Sequence, residues 1–357
     1  MNKEIKCFIF AIFIFMYISN NIMAQTGLTY ANNGLHAGDS LMVQKVEYFF
    51  AGDSGLDVEW NFSELQTSEP YPVVYFSDSD SVYVSELTLD RISRYLLRSD
   101  SLLLVSQEMP LEKVDYITPI PLMAYPFKYA DEFESSYSGR GLYCKTHSIV
   151  KNGYVNTVAD GTGTLIIGND TLHNVIRLHS LRTGTISMYN EDDSTEMENE
   201  WTKQEIEERY LWFANGYRYP ILETSSTSYY NDMEPVSCLQ KAFFRAPYMQ
   251  AQTSDKENEL IRYTDSISDG QTPRQDIIHY STSVSGSQIT IDYSLSEDAR
   301  ISLLVCNQMA MVYRRDAFSM PAGEGYSRSI DCSGLLPGTY ILYINVNGMI
   351  YSEKIKL

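Results

Sequence analysis

The stretch "GTLIIGNDTLHNVIRL", residues 163–178, places two short runs rich in Ile, Leu, Val and Thr on either side of Gly168-Asn169-Asp170. β-Branched residues favour extended backbone, and Gly-Asn-Asp is turn chemistry, so the stretch reads as an antiparallel hairpin. The same grammar recurs at "LLRSDSLLLV", residues 96–105, where two strands join at Ser99-Asp100. Working outward, "SLMVQKVEYFF" (40–50), "YPVVYF" (71–76) and "SVYVSELTL" (81–89) are further short strands, separated by Gly-Asp and Ser-Asp breaks. The chain therefore reads as mainly β, with residues 25–250 forming an N-terminal antiparallel β domain.

Two segments interrupt this pattern. Residues 190–209, "NEDDSTEMENEWTKQEIEER", are acidic and rich in helix formers, and read as a solvated loop or a short surface helix. Pairing resumes over 209–230, "RYLWFANGYRYPILETSSTSYY", with Asn215-Gly216 as its tight turn. Residues 251–282 are polar, contain Pro273, and read as an interdomain linker. The remaining residues, 283–357, alternate well over "QITIDYSL" and "RISLLVCN". They then give a Leu-Pro-Gly turn, a strand at 339–346, an Asn347-Gly348 turn and a final strand. This is the pattern of a C-terminal Ig-like β-sandwich of about seven strands.

Composition narrows the function classes. The chain has 357 residues, 27 Lys+Arg against 46 Asp+Glu, and a formal charge of −19. Such a balance argues against a nucleic-acid partner and against adhesion to anionic lipid. At the N-terminus, Lys3 and Lys6 precede an unbroken apolar run from Cys7 to Ile18, followed by a short polar stretch ending at Ala24. Residues 1–24 read as a secretory signal peptide, with an uncleaved anchor as the alternative. The twelve-residue run is short for a bilayer span. No transmembrane span is expected after cleavage. Four cysteines then remain: Cys144, Cys238, Cys306 and Cys332. Their wide spacing argues against zinc, and they are expected to be buried free thiols or to form at most one bridge.

The C-terminal 75 or so residues carry a resemblance. The residues are Cys306-Asn307-Gln308-Met309-Ala310, then Leu335-Leu336-Pro337-Gly338-Thr339-Tyr340-Ile341-Leu342-Tyr343-Ile344, then Asn347-Gly348 and a terminal Glu353-Lys354-Ile355-Lys356-Leu357. This segment resembles the C-terminal sorting domain of type IX secretion cargo. The matching positions are Asn307, Leu336, Gly338, Tyr340, Gly348, Lys354 and Lys356. Cys306 and Ala310 stand where the family has Tyr and Gly. The resemblance implies an Ig-like fold, recognition by an outer-membrane export machine, and a cell-surface or secreted destination; a periplasmic destination is the alternative. The body is similar to exported proteins carrying the same tail, through Gly38-Asp39, Trp60–Leu65, Tyr125–Asp131, Ala159–Leu165 and Trp212–Glu223. That similarity implies no activity.

No catalytic constellation stands out, and no cofactor or metal is expected. The five histidines form no ligand motif; His173 and His179 share strand parity only. Gly161-Thr162-Gly163-Thr164-Leu165 lacks the lysine of a phosphate loop and reads as a bend where two strands approach closely. Asp78 with Asp80, and Glu191 with Asp192 and Asp193, read as solvated acids and not as a calcium site. Trp212, Tyr217, Tyr219 and Tyr229, with Tyr230, cluster around the predicted 209–230 hairpin. They form either a stacking platform for an extracellular glycan or ordinary β core. The expected protein is thus an exported, surface or secreted protein, read as non-enzymatic. The alternative is a glycan-binding module or, less readily, a glycan hydrolase.

Overall fold

The computed structural model describes residues 27–77, 82–168, 170–190, 199–250, 255–268, 277–307, 312–347 and 349–357. The signal-peptide reading of residues 1–24 lies outside them. In chain order the first strands are β1 (Gly27–Leu28), β2 (Ser40–Val46), β3 (Gly55–Phe62), β4 (Tyr71–Phe76), β5 (Tyr83–Leu87), β6 (Ile92–Leu97), β7 (Ser101–Glu108) and β8 (Glu112–Ala124). They continue as β9 (Phe127–Lys128), β10 (Glu132–Tyr143), β11 (His147–Ile167), β12 (Asp170–Asn190), β13 (Asn199–Ala214), β14 (Leu222–Asn231) and β15 (Glu234–Phe244). Helices are few: α1 (Tyr30–Asn33), α2 (Pro247–Gln250) and α3 (Lys256–Ser268).

Twelve of these strands close into a barrel. From β4 to β15, leaving out β9, each strand pairs antiparallel with the next, β2 joins β4, and β15 returns to β2. The predicted hairpins sit inside this meander: Leu97 pairs Leu102, and Ile167 pairs Asp170. Closure leaves no free edge among the twelve, which removes the usual site of strand-to-strand aggregation. On β11 burial alternates residue by residue, with Ile149, Lys151, Val155, Thr157 and Ala159 buried. The opposite, outer positions along β10–β14 include Glu134, Ser136, Asn152, Thr183, Ser226 and Ser228. Ile117, Leu142, Tyr154 and Leu181 are exposed on the same outer parity. Among the described residues no helix is long and apolar enough to cross a membrane.

β3 is added outside the barrel, parallel to the end of β11. Glycines make this possible: a Cβ on Gly163 would stand 1.8 Å from the Val58 carbonyl oxygen, and one on Gly161 2.8 Å from the Trp60 ring. The close approach expected of residues 161–165 is therefore real. β3 lays Trp60 over Trp212 and buries the outer face of β12 locally. That is why Val175 to Leu178 are all buried: Val175 and Arg177 face the outer cluster, Ile176 and Leu178 the lumen.

The interior is apolar towards one end, where Leu102, Ile120, Ile176, Leu178 and Phe213 pack with Leu28, Tyr125 and Phe127. A polar knot seals that end. Arg218 donates to Asp255 through Nε and Nη2, both at 2.8 Å, and to the Gly34 carbonyl at 2.7 Å. Asn258 Nδ2 donates to the Asn32 carbonyl and to Asp255, each at 2.8 Å.

Three sequence expectations are corrected here. Residues 251–282 are not a plain linker, because α3 occupies 256–268 and a further strand begins at Ile278. α3 carries few apolar residues and is anchored by Asn258 and by Arg262, whose Nη1 donates to the Gly216 carbonyl at 2.6 Å; hydrophobic periodicity cannot reveal such a helix. Residues 199–209 are strand and not loop or surface helix, since their inward acids find partners in the lumen; 191–198 lie outside the described residues. Asn215-Gly216 does turn, with Tyr217 N–H donating to the Ala214 carbonyl at 3.2 Å. But β14 starts only at Leu222, because Arg218 is taken into the knot.

Among the described residues the C-terminal part has seven strands: β16 (Ile278–Ser285), β17 (Gln288–Leu295), β18 (Ala299–Asn307), β19 (Val312–Met320), β20 (Gly323–Asp331), β21 (Thr339–Val346) and β22 (Met349–Lys356). They form a three-stranded sheet, β16-β17-β20, and a four-stranded sheet, β19-β18-β21-β22. Ile289, Ile291, Val305, Leu342 and Ile344 from both sheets share one core. The other face of the four-stranded sheet is also covered. Cys306, Ile341 and Tyr343 join Met42, Trp60 and Trp212 of the barrel's outer cluster, and the Tyr343 and Ser40 hydroxyls hydrogen-bond.

Candidate functional site

The barrel's other end holds a chamber of about 530 Å³. Thr88, Met109, Tyr143 and Ser237, beside the β5–β6, β7–β8, β10–β11 and β14–β15 turns, mark its mouth. Strict alternation builds its walls: β14 sends Glu223, Ser225, Thr227 and Tyr229 inward, and β13 sends Trp201, Lys203, Glu205, Glu207 and Arg209. Two kinds of side chain meet inside. Leu104, Leu122, Ile149 and Met188 supply apolar lining, while Ile186 lies in register between Lys151 and Lys203. Facing the same space are seven Lys or Arg and five Glu. In a chain of charge −19, the chamber is thus net basic.

Glu223 is the best-held charge. Its Oε1 accepts from Arg209 (Nη2 2.7 Å, Nε 2.9 Å) and its Oε2 from Arg245 (Nη2 3.0 Å). Burial alone would raise its carboxyl, but Arg209 and Arg245 overcome that and lower it to about 2. It is a fixed charge and not a proton donor. Neighbouring pairs are Arg91 with Glu86 at 3.4 Å, Arg182 with Glu207 at 2.7 Å and Lys151 with Glu112 at 2.6 Å. The Tyr229 hydroxyl donates to Glu205 at 3.2 Å, and burial in this setting raises the phenol. Arg245 keeps Nε and Nη1 closed to solvent and without an acceptor among the described residues, as are Nε of Arg91 and of Arg182. Buried cationic donors without acceptors are costly, and ligand oxygens relieve that cost.

The four aromatics of the expected platform do not share an accessible surface. Trp212 is fully buried between Trp60, Phe49 and Phe62, outside the barrel wall. Tyr219 is buried, stacks on Tyr75 at 4.8 Å and donates to Asp39 at 2.8 Å. Tyr217 lies under the Arg262 guanidinium at 5.5 Å. Tyr229 alone lines the chamber, while Tyr230 lies on the outer parity. His179 also faces outward, stacked on Tyr210 and bonded to Glu208 at 3.0 Å. His173 meets Thr164 at 3.2 Å. Among the described residues no group of acids, histidines or cysteines is arranged for a metal. Asp78, Asp80, Glu191, Asp192 and Asp193 lie outside them.

The four cysteines among the described residues are free: Cys306 and Cys332 are buried, Cys144 and Cys238 exposed. The expectation of buried thiols therefore fails for the latter two, which sit at a hairpin turn and on the barrel's outer face. In the sorting-type segment, Tyr340 is buried and donates to the Leu336 carbonyl at 2.8 Å, while the Leu336 side chain is exposed. Gly338 exchanges backbone hydrogen bonds with Leu357, at 3.1 and 3.0 Å. Asn307 Nδ2 donates to the Tyr313 hydroxyl at 3.2 Å, and Lys354 and Lys356 are exposed on β22. Gly348 lies outside the described residues.

Arg91, Arg209, Glu223 and Arg245 are absent from the sequence-based expectations. Their signal was charge at alternate positions running into an apolar stretch of the same face, as in Glu205, Glu207, Arg209 and then Leu211. In comparisons with known proteins, no family model matches the chain and no curated protein does.

Proposed function

We propose that the barrel is a binding module that takes a small amphipathic molecule into its chamber. The observation that carries this reading is the chamber itself: about 530 Å³, lined by apolar side chains together with a net-basic set of charges. That volume suits small-molecule sites, and barrels of this kind commonly enclose ligands. Binding is favoured over catalysis because the most deeply held acid, Glu223, is locked between two arginines. The protein is proposed to be exported, on the strength of residues 1–24. The C-terminal strands are proposed to form an Ig-like sandwich of the type IX sorting kind. The strand orders β16-β17-β20 and β19-β18-β21-β22, with Tyr340 and Gly338 in structural positions, support this.

The test is displacement of a fluorescent naphthylamine probe from the full chain, with native-host protein extracted for co-purifying small molecules. Saturable binding abolished by Ile149→Trp, which fills the chamber, supports the reading. Probe binding unaffected by Ile149→Trp overturns it. Binding of neutral oligosaccharides instead moves the protein to the glycan alternative.

A further inference from the structure

The charged lining is not uniform, and its arrangement bears on what the ligand is. Arg91, Arg209 and Arg245 gather with Glu86 and Glu223; Glu207, the next acid to act on Arg209, is bonded to Arg182, so these four arginines and three acids carry one excess positive charge. The groups are mutually close: the charge on Arg91 is felt by Arg209 and Glu223 as well as by Glu86. Glu223 occupies Nη2 of both Arg209 and Arg245, and Glu86 reaches Nη2 of Arg91 at 3.4 Å. Left over are Nε and Nη1 of Arg245 and Nε of Arg91, all shielded from solvent and without an acceptor among the described residues. Both arginines line the chamber. Tyr95 links this corner to the apolar lining: its phenol feels Glu86 and Arg91, and its ring packs in the cluster holding Leu104, Ile149 and Met188.

We propose that the chamber selects an amphiphilic anion, its acidic head paired with Arg245 and Arg91 and its apolar body along Leu104, Leu122, Ile149 and Met188. This rests on the chamber being a ligand site. A cationic amphiphile would add to the excess positive charge, and a neutral hydroxyl would answer the orphaned N–H groups with one uncharged acceptor where an acidic head brings two or more charged ones. Arginine donors in a low-dielectric cleft suit a carboxylate or a sulfate or phosphate monoester alike.

The test uses four probes with one tail on the full chain, each below its micellar concentration: decanoate, decyl sulfate, decanol and decyltrimethylammonium. Isothermal titration reads the affinities. The expected result is an anion binding at least about tenfold more tightly than decanol, the size of one charge-assisted hydrogen bond, with the ammonium weakest. Comparing decanoate with decyl sulfate tells which head is preferred. Arg245→Lys keeps a charge for Glu223 but removes the guanidinium donors. It is expected to bring the anion's affinity down towards that of decanol, with circular dichroism and thermal unfolding showing that the variant is folded. Decanol binding as tightly as both anions overturns this proposal while leaving the chamber reading standing. Failure of all four probes to bind overturns both.

Discussion

Arg218 and Asp255 form a buried ion pair with two contacts of 2.8 Å, each side chain about 3% exposed. The guanidinium comes from the β13–β14 connection and the carboxylate from the residue before α3. The pair therefore ties a helix that lies beyond the barrel strands onto the barrel's closed end. Removing one partner of such a pair leaves a buried charge unanswered, at about 3–5 kcal/mol. Arg218→Ala is expected to lose that much in urea unfolding. Arg218→Met combined with Asp255→Leu is expected to recover most of it. A double variant as unstable as the single one contradicts this account.

Acid sensitivity follows from Glu223. Its carboxyl lies at about 2 in the fold against 4.5 when free. A depressed acid contributes stability that is full above its unfolded value and lost as pH falls through its folded one. The loss is expected between about pH 4.5 and 2, on the order of 3 kcal/mol. Glu223→Gln is expected to flatten the stability curve over that window. An unchanged slope in chemical unfolding at stepped pH counts against it.

Tyr343 bridges the two parts of the molecule, packed with Met42 and Trp212 and bonded to Ser40. Tyr343→Ala is expected to cost about 3 kcal/mol, as for other large aromatic truncations in cores. Ending the chain after residue 276 uncovers the same barrel cluster. The shortened protein is expected to bind a hydrophobic dye and to be cut faster by protease. A truncated barrel indistinguishable from the full chain in both assays shows that the C-terminal sheets are independent of it.

Gly163→Ala tests the parallel strand. The added methyl meets the Val58 carbonyl oxygen at 1.8 Å, backbone against backbone, with no flexible side chain to yield. Loss of about 1–3 kcal/mol and release of Trp60 fluorescence to a water-exposed spectrum are expected. Gly168→Ala supplies the contrast: its Cβ meets no neighbour but sits at φ +56°, so only backbone strain is expected there.

The thiols rank by surroundings. Hydrogen bonds with Ser226 and then Ser228 lower the exposed Cys238 thiol, whereas burial pushes Cys306 up to about 11 and raises Cys332. Iodoacetamide at neutral pH is expected to modify Cys238 first, then the exposed Cys144, and to spare the other two in the folded state. Peptide mass spectrometry reads the order, and early labelling of Cys306 contradicts it.

Much of the strand content was legible locally. Ser99-Asp100 and Gly168-Asn169-Asp170 mark turns because their preferences are met within a few residues. Tyr340 and Gly338 were singled out by motif and have structural positions near the chain end. Legibility failed wherever a polar residue took its partner from far along the chain. Glu205 and Glu207 looked like solvent-facing helix residues, yet they face a lumen that supplies Tyr229 and Arg182. Trp212 read either as part of a stacking platform or as β core, and β3 covers it.

The sequence by itself determined that this chain is mainly β and where several of its hairpins turn, as at Ser99-Asp100 and Gly168-Asn169-Asp170. Those properties depend on alternation and turn chemistry, which act over a few residues. Only the tertiary structure decided that twelve strands close into a barrel, that acids and arginines alternate inward to make a net-basic chamber, and that the C-terminal sheet lies against the barrel wall. Closure joins β15 to β2 across about two hundred residues, and Glu223 meets Arg245 only when two strands lie in register. Strand alternation assigns side chains to two faces, but which face becomes the lumen is settled by the closing of the sheet.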